Sequence, residues 1–213
     1  YLINKPFDLR DYQREMIHEI LTAIANKEHQ IMLKLPTGSG KTRVALEAIF
    51  QSMYHNHVHT CLWIADEKQL CEQAIDSAKL TFHGSDQRLQ NLILVSFFDS
   101  NALVNLNQLR DNGEEKMLIV CTPDQLTRNI DLLPEIDLYV MDEAHTSIQQ
   151  RSELFENTNA KIRLGLSATP PTHWTRTKTL SPRMSFDASI KSTKEYLIEE
   201  GVLSKPMFHS RKM

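Results

Sequence analysis

Leu35-Pro36-Thr37-Gly38-Ser39-Gly40-Lys41-Thr42 is the segment best equipped for chemistry. It follows an apolar run and opens a stretch of helical periodicity, the context in which a glycine-rich turn cradles phosphate. Gly38 and Gly40 free the backbone to turn, so that N–H groups across Thr37, Gly38, Ser39 and Gly40 can face phosphate oxygens. The positive end of the following helix adds to that field. Lys41 is placed to reach β- and γ-phosphates, and the Thr42 hydroxyl to hold Mg²⁺. The general spacing of such loops has a glycine where Leu35 stands. A glycine-rich strand-to-helix turn without a ligand is the plainer alternative.

Asp142-Glu143-Ala144-His145 directly follows the apolar run Leu138-Tyr139-Val140-Met141. Carboxylates at the carboxyl end of a parallel strand lie where α/β sheets bind ligands. Asp142 is suited to hold Mg²⁺ through water opposite Thr42, and Glu143 to orient and deprotonate an attacking water. The competing reading is a helix N-terminus, which also favours Asp and Glu. Leu164-Gly165-Leu166-Ser167-Ala168-Thr169-Pro170 ends a further apolar run. The Ser167 and Thr169 hydroxyls could bond His145 or Asp142, although such a pair in isolation is a turn signal.

These residues need a scaffold, and the chain supplies a regular one. Tyr12, Met16, Ile17, Ile20, Leu21 and Ile24 recur at helical spacing, which predicts a helix over 10–26. Short apolar runs at 30–35, 60–65, 92–97, 117–121, 136–141 and 162–167 predict strands buried on both faces. Between them, 41–54 and 67–80 read as helices, with weaker helical signals at 101–110, 123–129 and 148–156. The Pro/Thr/Ser-rich stretch 170–186 reads as a long loop, and 192–200 as a helix capped by Gly201. Alternating strands and helices predict an α/β domain whose parallel sheet is covered on both faces.

Composition narrows the partners. Among 213 residues, 41% are hydrophobic and 24% charged, the mix of a globular chain rather than a disordered one. No apolar run reaches the ~18 residues that suggest a membrane span, and the first nine residues lack a secretory pattern. The chain starts with Tyr1, so we expect a piece of a longer protein. Three scattered cysteines, Cys61, Cys71 and Cys121, predict buried reduced thiols in an intracellular protein, cytoplasmic or, in a eukaryote, nuclear. The net charge of −3 and a pI near 6.3 exclude a polyanion grip by bulk charge, so any nucleic acid must be held locally. One such place is 157–186, which holds no Asp or Glu while Lys161, Arg163, Arg176, Lys178 and Arg183 are basic. A solvated surface is the plainer reading, and Trp174 there could stack on a base or be covered by a partner. His55, His57 and His59 would share one face of a strand, without a Cys or carboxylate to complete a metal set.

Leu9-Arg10-Asp11-Tyr12-Gln13, the loop at 35–42, Cys121-Thr122-Pro123-Asp124-Gln125-Leu126, Asp142-Glu143-Ala144-His145 and Leu166-Ser167-Ala168-Thr169-Pro170 occur in one order. That order resembles the first RecA-like domain of superfamily 2 helicases and translocases, in the DEAD/DEAH-like branch that includes the motor subunits of type I and type III restriction enzymes. The resemblance implies a three-layer RecA-like P-loop domain over 1–186, with 187–213 leading toward a second RecA-like domain. It implies an ATP hydrolase that uses ATP and Mg²⁺, with Glu143, Lys41 and Asp142 catalytic. Gln13 would read adenine, with Arg10 near the base; one amide can serve both a donor and an acceptor there. The family tolerates a residue other than glycine at Leu35. His145, Ser167 and Thr169 would couple hydrolysis to strand grip, and Lys68, Thr122 and Gln125 would contact nucleic-acid phosphates. The Asp66-Glu67 pair beside Lys68 departs from that pattern. The restriction-type resemblance tilts the partner to DNA rather than RNA, possible complex subunits being further partners, with no membrane. Without the arginine finger of a second domain, which is worth ~10³–10⁵ in rate, hydrolysis by this chain alone should be slow. An ATP-gated nucleic-acid sensor or clamp, a duplex translocase feeding a nuclease, and an ATPase acting on proteins or small molecules share the same phosphate chemistry.

Overall fold

The apolar runs form seven strands: β1 (Gln30–Lys34), β2 (Thr60–Ile64), β3 (Leu92–Phe97), β4 (Lys116–Cys121), β5 (Leu138–Met141), β6 (Ile162–Ser167) and β7 (Lys178–Leu180). The computed structural model describes residues 8–84, 89–97, 115–144, 148–169, 178–180, 195, 197–198 and 201–203. The strands make one sheet in the order β3-β4-β2-β5-β6-β1-β7, and every pairing in it is parallel. Five helices accompany them: α1 (Asp11–Ala25), α2 (Lys41–Tyr54), α3 (Lys68–Gly84), α4 (Pro123–Asn129) and α5 (Ile148–Asn157).

Side chains alternate across a strand, so a doubly covered sheet needs two cores. Ile31 and Leu33, Cys61 and Trp63, Leu118 and Val120, Leu138 and Val140, and Ile162, Leu164 and Leu166 enter one core with α1, α2 and α3. Met32, Leu62 and Ile64, Met117, Ile119 and Cys121, and Tyr139 and Met141 enter the other with Leu126 of α4 and Leu154 and Phe155 of α5. Trp63 and Tyr139, both fully buried, are the largest anchors of the two cores. The result is the expected three-layer α/β fold.

Helix α1 forms where its period predicts, burying Tyr12, Met16, Ile17, Ile20, Ala23 and Ile24. Strand β5 starts two residues later than the apolar run at 136 suggests. The Asp137 carboxylate instead accepts the N–H groups of His59 (2.8 Å) and Thr60 (3.0 Å) and the Lys161 ammonium (2.7 Å), pinning the start of β5 to β2 and β6. Burial alone would raise the Asp137 pKa, but those three donors outweigh it and hold it below the usual carboxylate value.

Three expectations need correction. The stretch 170–186 is not wholly loop, because Lys178–Leu180 adds as a parallel strand to β1. Its three residues carry no apolar run, so backbone pairing alone reveals it. Arg163 is no surface contact for phosphate: it lies in β6, 4% exposed, with its guanidinium 4.0 Å from the centroid of Phe155. His55 and His57 do not lie on a strand either. His55 caps α2, His57 follows in the turn, and β2 begins only at Thr60. Among the described residues no three His, Cys, Asp or Glu converge as a metal site. All three cysteines are free and buried. His145, Trp174, Arg176, Arg183 and the 101–110 helix lie outside the described residues. Near the C-terminus Glu195, Leu197 and Ile198 are helical, and Gly201, at φ +67°, ends the turn. Leu197 is fully buried in the first core.

Candidate functional site

An all-parallel sheet puts every strand's carboxyl end on one edge, and there open α/β sheets bind ligands. The segments that follow β1, β2, β4, β5 and β6 therefore gather on that edge, bringing residues 35–40, 65–68, 122, 142–144 and 168–169 to one side of the domain.

Leu35 is fully buried in the first core, and its N–H bonds the Ser167 carbonyl at 3.3 Å. An apolar residue at this position thus anchors the base of the loop. Gly38 and Gly40 have φ of +81° and +86°, a region that side chains disfavour. Between them the Ser39 N–H bonds the Pro36 carbonyl at 3.2 Å, and the Ser39 hydroxyl donates to the same oxygen at 2.6 Å. Thr37 is exposed and Thr42 half-buried. A Cβ on Gly40 would lie 2.6 Å from Gln13 Nε2, and one on Gly38 would lie 3.4 Å from Leu203 Cδ2.

The first turn of α1 grips this loop. Gln13 Nε2 donates to the Ser39 carbonyl at 3.2 Å, while Gln13 Oε1 accepts the Arg10 N–H at 3.0 Å. One N–H and one lone pair of the amide remain for other partners. Tyr12, which reads from spacing only as a core residue, donates its hydroxyl to the same Ser39 carbonyl at 2.7 Å. Nothing local in the sequence announces that bond, since its partners are 27 positions apart.

Facing the loop is the acidic turn. Lys41, 7% exposed, places its ammonium 3.7 Å from Glu143 Oε1. Glu143 has a φ of +46°, and its N–H bonds the Asp142 carboxylate at 3.0 Å. A residue other than glycine held in this region is a strained position, of a kind that clusters at functional sites. Backbone bonds fix the turn at both ends: Asp142 N–H to the Ile64 carbonyl (3.0 Å) and Ala144 N–H to the Leu166 carbonyl (2.8 Å). Ser167 is fully buried, and its hydroxyl accepts the Thr169 N–H at 3.0 Å. The structure thus brings Gln13, the 35–42 loop, Asp142, Glu143 and Ser167 together.

The remaining candidates sit along the same edge with local partners. Lys68, exposed at the start of α3, pairs with Glu72 at 3.9 Å. Thr122 caps α4 by accepting the Gln125 N–H at 3.5 Å. Asn129 Nδ2 donates to the Gln125 carbonyl at 2.8 Å and to its Oε1 at 3.3 Å.

Known proteins resemble this chain in sequence and in fold. The EcoKI type I restriction enzyme endonuclease subunit of Escherichia coli K12 is 25% identical over 191 residues, covering 78% of this chain and 15% of that subunit. The chain thus spans less than a fifth of that relative's length. In fold it is similar to a nuclease-deletion mutant of the Type ISP restriction-modification enzyme LlaGI, solved with a DNA substrate mimic (TM-score 0.62, 18% identity, 78% of this chain and 18% of that one). It is also similar to the SWI2/SNF2 ATPase core of Sulfolobus solfataricus, solved with double-stranded DNA (TM-score 0.59, 18% identity, 83% and 36%). These similarities identify the fold as the RecA-like domain of superfamily 2 helicases, of the kind found in restriction-enzyme motors. The family described as "Type III restriction enzyme, res subunit" matches residues 6–172, and the chain belongs to it.

Proposed function

We propose that this chain is the ATP-binding half of a nucleic-acid-dependent ATPase motor, acting on DNA and completed by a second RecA-like domain. The observation that carries the reading is the 3.7 Å approach of Lys41 to Glu143, a loop lysine set against a carboxylate at the carboxyl edge of a parallel sheet. The glycine loop and the first N–H groups of α2 would receive the triphosphate. Gln13 would use its remaining donor and acceptor on adenine, with Arg10 beside it. The Thr42 hydroxyl and Asp142 carboxylate are hard oxygen donors, both half-buried, and suit Mg²⁺. That ion, when bound, neutralises charge on the phosphate oxygens. Lys41 would leave Glu143 for the γ-phosphate, freeing the carboxylate to orient water and take its proton. His145, Ser167 and Thr169 would link this site to the strand contacts, with Lys68, Thr122 and Gln125 as phosphate-contact positions.

A MgATP titration tests this reading. Lys41→Ala should lose about 10–100-fold in affinity, the worth of a charged hydrogen bond. Glu143→Gln should bind within about threefold of the parent while hydrolysis falls ~10²–10⁴-fold. Equal binding by Lys41→Ala and the parent would refute it. The EcoKI relative favours, within the motor class, duplex translocation feeding a nuclease outside these residues. Displacement of a triplex strand by the full-length protein tests that choice, and failure with every DNA would return the sensor or clamp.

A further inference from the structure

Two donors converge on one backbone oxygen in the phosphate loop. The Tyr12 hydroxyl reaches the Ser39 carbonyl at 2.7 Å and Gln13 Nε2 reaches it at 3.2 Å. The phenol makes the shorter bond, and Tyr12 is 6% exposed, its ring packed in the first core. It is therefore fixed from below, while the loop it holds is glycine-flanked and owes its shape to its partners.

A trans peptide is planar, with C=O and N–H pointing in opposite directions. No cis peptide occurs among the described residues. Holding the Ser39 carbonyl against α1 therefore aims the Gly40 N–H away from α1. That amide donates to no backbone carbonyl among the described residues. Gly40 precedes Lys41 directly, so its amide stands at the mouth of α2, where an anion is favoured. A loop free to rotate this peptide would turn its carbonyl oxygen, a partial negative charge, toward the same place.

We infer that Tyr12 is a positioning residue for the phosphate loop: its hydroxyl sets the orientation of the Ser39–Gly40 peptide and thereby one donor of the phosphate cradle. This rests on the ATP-site reading and extends it to a residue that would act through the loop. Gln13 shares the acceptor but also faces the base, so the two residues should fail differently when altered.

The test compares MgATP, MgGTP and magnesium tripolyphosphate, which has no base, binding to the parent chain, Tyr12→Phe, Gln13→Ala and Lys41→Ala. Tyr12→Phe should weaken MgATP and tripolyphosphate by the same factor, about 3–10-fold for one buried hydrogen bond. Its preference for ATP over GTP should stay unchanged, and its melting temperature should fall by no more than about 4 °C. Gln13→Ala should lose the ATP preference. If Tyr12→Phe binds all three probes like the parent, Tyr12 only fills the core and the inference is wrong. It is equally wrong if MgATP weakens and tripolyphosphate does not, since the phenol would then act through Gln13 on the base. Should the phenylalanine variant not fold, the same ratios are read from Tyr12→Met. If Lys41→Ala binds like the parent, the ATP-site reading fails and this inference with it; normal Lys41 dependence without a Tyr12 effect overturns the inference alone.

Discussion

Lys41 opens α2 and Glu143 follows β5, yet their charged groups stand 3.7 Å apart, the lysine only 7% exposed. Burying an ammonium is costly even when it is paired, and its partner Glu143 is 36% exposed, so removing the lysine leaves no carboxylate stranded away from water. Lys41→Met should therefore leave the melting temperature within about 4 °C of the parent or raise it, while weakening MgATP binding about 10–100-fold. Calorimetry beside a binding titration checks this; parallel loss of both would mean that Lys41 serves the fold.

Gly40 and Gly201 both have left-handed φ but differ in surroundings. A Cβ at Gly40 lies 2.6 Å from Gln13 Nε2, whereas one at Gly201 meets nothing within 4 Å. Gly201→Ala should cost only backbone strain, about 1–2 kcal/mol. Gly40→Ala should cost more and also displace Gln13, so it alone should weaken nucleotide binding. Denaturant melts of both variants separate the two effects.

Asp137 gives the fold an acid limit. Its carboxyl pKa is depressed by Lys161 and the His59 and Thr60 amides against the opposing effect of burial. A depressed carboxylate contributes stability that is present above its unfolded pKa and lost as pH falls through the folded one. Asp137→Ala should cost about 2–3 kcal/mol at pH 7, because two backbone donors lose their acceptor. That difference should shrink below about pH 4, as a pH series of denaturant midpoints would reveal.

Arg163 stacks on Phe155 at 4.0 Å and approaches Glu156 at 3.7 Å. Arg163→Ala should lower stability by about 2–3 kcal/mol through lost packing. It should leave the salt dependence of any DNA binding unchanged, because slope counts the phosphates neutralised. A shallower salt slope for this variant would contradict its burial.

Burial pushes the Cys71 thiol up to about 11 and also raises the thiols of Cys61 and Cys121. Thiolate is the reactive form. At pH 8 the native protein should leave all three unmodified by a disulfide reagent for minutes, then react at all three once unfolded. Fast labelling of native Cys71 would show that α3 opens locally.

The strands were legible because a doubly covered parallel sheet demands continuous apolar runs, and Gly, Pro or Asp punctuates each one here. Where the reading slipped, a polar residue had a distant partner. Asp137 leaves the apolar run to hold the start of β2, and Arg163 carries charge into a strand because Phe155 of α5 receives it. The alternation Ile162, Leu164, Leu166 placed Arg163 on the opposite, buried face, which was the available signal. Strand β7 offered none. At the site, the loop and the acidic turn could be paired by their chemistry, whereas the Tyr12 hydroxyl could not. Its acceptor is a backbone carbonyl, which carries no residue-specific mark.

The 2.8 Å bond from the Ala144 N–H to the Leu166 carbonyl ties the bend after one strand to the tip of its neighbour. At the last residue of that same strand, the Ser167 carbonyl takes the Leu35 N–H. Three successive strand ends are thereby laced together by main chain, without any side chain that mutation could remove. A shift at one of these bends must drag the others or snap a bond, so the edge would travel as a single jaw.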